Sequence, residues 1–75
     1  MSFLVIELQT LEDGSVANNV FSFDNMNEAE AKYHTVLSYA AVSTIPCHAA
    51  VMIRADGMYI KSQSYDKKYE DVEEE

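Results

Sequence analysis

The chain has little of what usually reveals the function of a small protein. Its 75 residues contain one cysteine, Cys47, and only two glycines. One cysteine cannot form an internal disulfide, so packing alone must stabilise the fold, and a reducing compartment is expected. Two glycines are too few for a glycine-rich phosphate loop, and the sequence has no nucleophile elbow and no cluster of metal ligands. We therefore expect a protein that is not an enzyme and uses no cofactor or metal.

Positive charge is also scarce. The sequence has 5 Lys and Arg against 13 Asp and Glu, for a formal net charge of −8. This charge repels phosphate, so direct binding to nucleic acid is not expected. Much of the acidity lies in residues 66–75, which end in Glu73-Glu74-Glu75. We predict one folded domain over residues 1–65 and an acidic, disordered tail over residues 66–75, which either keeps the protein soluble or docks on a basic surface.

Long apolar runs are absent as well. No segment approaches the 18 apolar residues that indicate a membrane span. The first residues, from Met1 to Glu7, lack the basic region of a signal peptide. The sequence thus predicts a cytoplasmic protein that does not contact a membrane.

Two turn signals stand out among the residues that are present. Asp13-Gly14 and Asp56-Gly57 each separate two apolar runs, and Asp-Gly suits a tight hairpin because glycine readily takes positive φ. Between the two hairpins, Met26–Val42 has the apolar spacing of a helix, with Asn25 as its N-cap. We predict an α+β fold, a four-stranded antiparallel ββαββ sheet with one helix packed on one face.

The apolar positions predict which strand face meets the helix. On the first strand, the set with Leu4, Ile6 and Leu8 is the more uniformly apolar, so we expect it to face the helix. On the second strand, Asn18-Asn19 predicts either a bulge or an edge strand. The helix stripe comprises Met26, Ala29, Tyr33, Val36, Leu37, Ala40 and Ala41. The predicted core is Leu4, Ile6, Leu8, Phe21, Tyr33, Val36, Leu37 and Ala40.

The opposite sheet face is then expected to be apolar too. It would carry Phe3, Val5, Val16 and Val20, which is too apolar a set for contact with water. The core is also thin, because a domain of this size buries only about 60% of the surface of its unfolded chain. Both observations predict a homo-oligomer, most simply a dimer.

Basic and imidazole groups are the remaining candidates for a site. If Lys32, His34, Arg54 and Lys61 gathered in one cleft, within one chain or across a subunit boundary, they could bind an anionic small molecule, with a tyrosine stacked on a base. The alternative is that they are separate surface charges. Two histidines alone are too few for a metal site. The candidate ligand-binding residues are Lys32, His34, Tyr39, His48, Arg54 and Lys61.

Residues 3–65 also resemble a family of short uncharacterised proteins encoded by phages and prophages of Firmicutes. The resemblance is carried by residues 5–10, Asp13-Gly14, residues 29–35, and residues 40–43 followed by Pro46 and His48. It implies an origin in a mobile element but no particular activity. Small accessory phage proteins often act by binding, which sets an expectation by analogy.

Three functions fit that implied setting. The protein could inhibit a host antiviral defence by blocking a protein partner in the host cytosol, which the acidic charge favours because it steers the protein toward basic surfaces. It could instead be a homo-oligomeric sponge that sequesters an anionic nucleotide signal, an alternative that Lys32-Tyr33-His34 on a helix flank keeps open. The third alternative is a minor structural protein of the phage particle.

Overall fold

A computed structural model describes residues 2–66 of the chain. The elements follow the predicted ββαββ order, with four antiparallel strands in one sheet and a single helix packed on it. Of the predicted tail, only Asp66 is described, and residues 67–75 lie outside the described residues. The elements are β1 (Phe3–Thr10), β2 (Val16–Phe23), α1 (Met26–Val42), β3 (Cys47–Arg54) and β4 (Tyr59–Asp66).

The two predicted hairpins lie side by side in the sheet. The strand order is β2-β1-β3-β4, so β1 and β3 form the centre and pair antiparallel over their full length. β2 is therefore an edge strand, as one reading of Asn18-Asn19 predicted. The register of β1 with β2 is continuous, and the irregularity lies instead in the second hairpin, between Met52 and Ile53.

Both Asp-Gly turns are confirmed. Gly14 and Gly57 have φ of 90° and 94°, in the region that side-chain-bearing residues rarely adopt. Each preceding aspartate closes its own turn: the Asp13 carboxylate accepts the backbone N–H of Ser15 at 2.9 Å, and the Asp56 carboxylate accepts that of Met58 at 3.1 Å.

The helix begins and ends where the sequence predicts. The Asn25 side chain accepts the backbone N–H of Glu28 at 2.8 Å, which satisfies one of the unpaired N–H groups of the first turn. Ser43 ends the helix in an extended conformation, and Pro46 follows before β3. The helix buries five residues against the sheet: Ala29, Tyr33, Val36, Leu37 and Ala40. Met26 and Ala41, predicted in the same stripe, are exposed.

The predicted face of β1 is wrong. Val5 is fully buried under α1 and lies opposite Met52, which is also fully buried. The residues predicted to pack against the helix, Leu4, Ile6 and Leu8, are only half-buried and point to the opposite face. Phe3, which was predicted on the open face together with Val5, packs at the edge of the core. Phe21 is half-buried.

The composition of the whole sheet explains this outcome. The register ties the faces of neighbouring strands together, so the helix covers one combined face and not the most apolar face of each strand. Ala50 on the covered face and Ala29 and Ala40 on α1 are all fully buried, and such small residues let the helix approach the sheet closely. Aromatic and aliphatic residues fill the periphery of this core: Phe3, Phe23, Ile60 and Tyr65.

Candidate functional site

A groove lies between α1 and β4. Its volume is about 570 Å³, and both apolar and polar side chains line it. Tyr33 and Leu37 form its floor from the buried side of the helix, and His34 stands at its rim. Lys61 and Tyr65 enter from β4. The groove therefore brings together two of the predicted ligand-binding residues, His34 and Lys61.

The positive charge of Lys61 in this groove is already paired with a carboxylate of the same chain. Lys61 forms an ion pair with Glu30, and the Nε2 atom of His34 lies 3.3 Å from the same carboxylate. The hydrogen bond from Lys61 is the main reason that the pKa of Glu30 lies below its ordinary value. The Lys61 ammonium also lies 5.1 Å from the ring centre of Tyr33, where burial raises the pKa of the phenol. An anionic ligand would have to compete with Glu30 for Lys61.

A second polar cluster lies on the covered sheet face beyond the core. His48 is only 3% exposed, and its Nε2 atom donates to the Glu7 carboxylate at 2.7 Å, because an ionised carboxylate can only accept. Asn19 donates to the other oxygen of Glu7 at 3.1 Å, and Gln9 lies 3.3 Å from the first. Burial raises the pKa of Glu7, but these hydrogen bonds and the attraction of His48 outweigh it, so the pKa lies below its ordinary value.

The histidine of this cluster is buried and is hydrogen-bonded within the chain. The Nδ1 atom of His48 is buried and has no hydrogen-bond partner among residues 2–66. The edge strand supplies Asn19 and the two central strands supply Glu7 and His48, so the pair fixes the register at this end of the sheet. Sequence reasoning missed the pair. Glu7 and Gln9 on one face of β1 were its only signal, and the partner strand was not known.

The other predicted ligand-binding residues lie apart from the groove. Arg54 forms an ion pair with Asp56 at 2.8 Å in the second turn. Arg54 does not line the groove, although Lys61 pairs with Met52, two positions from Arg54 on β3. The Lys32 ammonium lies 4.1 Å above the ring of Phe21, toward β2. Of Lys32, His34, Arg54 and Lys61, the structure brings His34 and Lys61 together in the groove of one chain.

The side of α1 that faces away from the sheet forms what we call the outer helix surface, defined by Thr35, Ser38, Tyr39 and Val42. Tyr39 is 64% exposed and Val42 is 78% exposed. The hydroxyls of Thr35 and Ser38 donate to helix carbonyls, those of Ala31 and Thr35, at 2.9 and 2.7 Å. If another molecule covered this surface, both hydroxyls would keep their hydrogen bonds to the helix carbonyls.

The sheet side that faces away from α1 is the second extended apolar surface, and we call it the open sheet face. Residues 2–66 place no helix on it. Its central strands contribute six aliphatic side chains, all of them half-buried: Leu4, Ile6, Leu8, Ala49, Val51 and Ile53.

Comparison of the chain with protein-family models, curated proteins and solved structures gave no match. Across the described part of the chain, no three His, Cys, Asp or Glu side chains are grouped as metal ligands. The one helix within residues 2–66 is neither long nor apolar enough to cross a membrane.

Proposed function

We propose that the protein is a non-catalytic binding protein that inhibits a host antiviral defence by blocking a protein partner in the host cytosol. The outer helix surface carries the proposal. From Ala31 to Val42, no exposed side chain is Asp, Glu, Lys or Arg, although 24% of all residues in the chain are charged. Burial of an unpaired charge is costly, so a helix surface without exposed charges is better suited to contact with another protein.

Tyr39 is the natural anchor of that contact. Tyrosine offers a large apolar ring with a polar tip and is enriched among the residues that dominate interface energies. Val42 extends the apolar surface by one turn. Because the Thr35 and Ser38 hydroxyls are already bonded to the helix, a partner that covers them leaves no donor unpaired.

Charge supports a protein partner over an anionic nucleotide. Lys61 and Arg54 are paired with carboxylates of their own chain, so neither is a free cation for a phosphate group. By contrast, the carboxylates of Glu12, Asp24 and Glu28 have no ion-pair partner among the described residues. A surplus of unpaired carboxylates steers the protein toward a basic partner and makes that encounter dependent on salt.

The test is a plating assay in cells that each carry one antiviral defence system. Expression of the wild-type chain should restore phage plaques against at least one system. Tyr39→Ala should lose the rescue, whereas Met58→Ala should keep it. Met58 is the matched control because it is also a large exposed apolar residue, 56% exposed, but lies in the second turn. The wild-type chain should also retain the defence protein on a column, and high salt should release it.

Three results would contradict the proposal. The first is a lack of rescue in every system. The second is a thermal shift with a nucleotide signal that disappears in His34→Ala or Lys61→Ala, because that result assigns the function to the groove as a sponge. The third is a fixed number of copies in purified virions without rescue, which assigns a structural role.

A further inference from the structure

We propose that the open sheet face is the interface of a homodimer, in which the sheets of two copies pack face to face with both helices outside. This proposal does not depend on the proposed function. It follows from the composition, charge and size of the face.

The open sheet face has the pattern of an interface, with an apolar centre and a polar rim. Its centre is the aliphatic set of β1 and β3, in which Ile6 lies directly opposite Val51. Uncharged polar residues flank that centre on both edge strands. They are Asn18 and Ser22 on β2 and Ser62 and Ser64 on β4, with Val20 between the first two.

The absence of charge identifies the occupant as a second copy. Each copy carries a net charge of −8, so association through a charged face would be strongly repelled. On the open sheet face, the only charged residue among those described is Asp66, at one corner beside Cys47. A basic partner, which the overall charge attracts, would find almost no carboxylate there. A second copy meets its own aliphatic surface and keeps its acids at a distance.

The composition of residues 67–75 does not match that of the open sheet face. Residues 67–75 contain one Tyr, one Val and otherwise only Lys, Asp and Glu. Two apolar side chains do not match six aliphatic ones, and burial of the surrounding charges would be unfavourable. A second copy supplies the matching aliphatic surface instead.

The area is sufficient for a dimer. Four strands of eight residues span roughly 19 Å by 26 Å, or about 500 Å² for each copy, from the ordinary strand spacing and rise. Two copies then bury on the order of 1,000 Å², which is the lower limit for a biological interface. Sheets that pack face to face lie about 10 Å apart with their strands rotated by about 30°, and the flat aliphatic centre permits this arrangement.

Sedimentation equilibrium and light scattering of the full chain test the proposal. The wild type should have a mass of about 17 kDa, twice the 8.5 kDa of one chain. Val51→Lys places a charge at the centre of the face and should weaken the dimer by at least tenfold. Val42→Lys makes the same change on the outer helix surface and should leave the dimer intact. Circular dichroism should show that both variants keep the wild-type fold.

If Val51→Lys does not fold, Ser62→Lys and Ser64→Lys replace it in the same measurement. Both serines are exposed rim residues, so lysine can be accommodated in the monomer, and each should weaken the dimer severalfold. A wild-type monomer at several hundred micromolar would overturn the proposal. So would a dimer that all three lysine substitutions on the sheet leave unchanged, because another surface would then form it.

Discussion

The two faces of the sheet differ in a way that hydrophobicity alone does not anticipate. The covered face holds Glu7, His48, Arg54 and Lys61, whereas the centre of the open sheet face is entirely aliphatic. A single helix is narrower than four strands, so it buries only the middle of the face, around Met52. Polar side chains at its margins pair with other side chains of the chain: His48 with Glu7, Arg54 with Asp56, and Lys61 with Glu30. Uniform apolar composition therefore marks the face that suits a flat partner, not the face under the helix.

Alanine substitution in β3 contrasts the two faces most strongly. Met52→Ala should lower the free energy of unfolding by about 2–5 kcal/mol, because Met52 is fully buried and the shorter alanine side chain leaves a cavity beneath the helix. Val51→Ala, one residue away on the open sheet face, should lower it by about 1 kcal/mol or less in the monomer. Urea unfolding at low protein concentration measures both. Equal losses would mean that the faces are equally buried within one chain.

Removal of Glu7 tests whether the polar margin of the covered face stabilises the fold. Glu7→Ala should lower the free energy of unfolding by about 1.5–3 kcal/mol, because the buried Nε2–H of His48 loses its charged acceptor. Gln9→Ala is the matched control, since Gln9 makes only longer contacts with the same pair. If both variants unfold at the same urea concentration, the pair contributes no stability.

The same carboxylate predicts the direction of a pH effect. The pKa of Glu7 is lower in the folded chain than in the unfolded one, so its ionised form stabilises the fold above its unfolded pKa of about 4.3. That stability should be lost as the pH falls from about 4.3 through the folded value. Asp13 and Glu30 have the same sign, so the decisive measurement is the difference from Glu7→Gln, whose unfolding free energy should fall less steeply. Parallel curves would contradict the prediction.

Removal of the helix N-cap should change the free energy of unfolding less than Met52→Ala or Glu7→Ala does. Asn25→Ala removes the acceptor for the N–H of Glu28 and should lower the free energy of unfolding by about 1 kcal/mol. Asn25→Ser keeps an acceptor and should restore most of the loss. Thermal unfolding followed by circular dichroism measures both variants. An unchanged Asn25→Ala variant would show that water replaces the cap without loss.

The smallest effect is expected from deletion of residues 67–75. Because their sequence is mostly charged and lacks apolar periodicity, the melting temperature should remain nearly unchanged. A loss of several degrees in calorimetry would show that these residues pack against residues 2–66, with the open sheet face as the first place to look.

Local signals predicted most of this fold. Asp-Gly turns, an asparagine cap and a helical stripe each depend on residues close together in the chain. The turns and the cap are confirmed, and five of the seven stripe residues are buried. The face of β1 depends on its pairing with β3, whose residues lie about 40 positions away. No local pattern reports that register. Leu4, Ile6 and Leu8 were therefore assigned to the helix because they are the more apolar set, although the sheet as a whole turns them away from it.

The candidate groove was predictable only in part. Basic and imidazole groups are scarce, so composition alone made His34 and Lys61 candidates, and the structure places both in the groove. The ion pair of Lys61 with Glu30 depends on the position of α1 relative to β4, which the sequence does not specify. The outer helix surface was visible from the sequence, since Tyr39 and Val42 fall opposite the helical stripe.

The central pairing of β1 with β3 has a consequence for how the chain folds. Each hairpin joins neighbouring strands through a short turn, whereas Phe3 pairs with Arg54, 51 residues away. Closing so long a loop loses chain entropy before the stabilising contacts between the strands have formed. Such non-local pairing slows folding. We therefore expect the two hairpins and the helix to form early and the union of the hairpins to limit the rate. Before the hairpins join, β1 and β3 each have an unpaired edge that is free to pair with other chains.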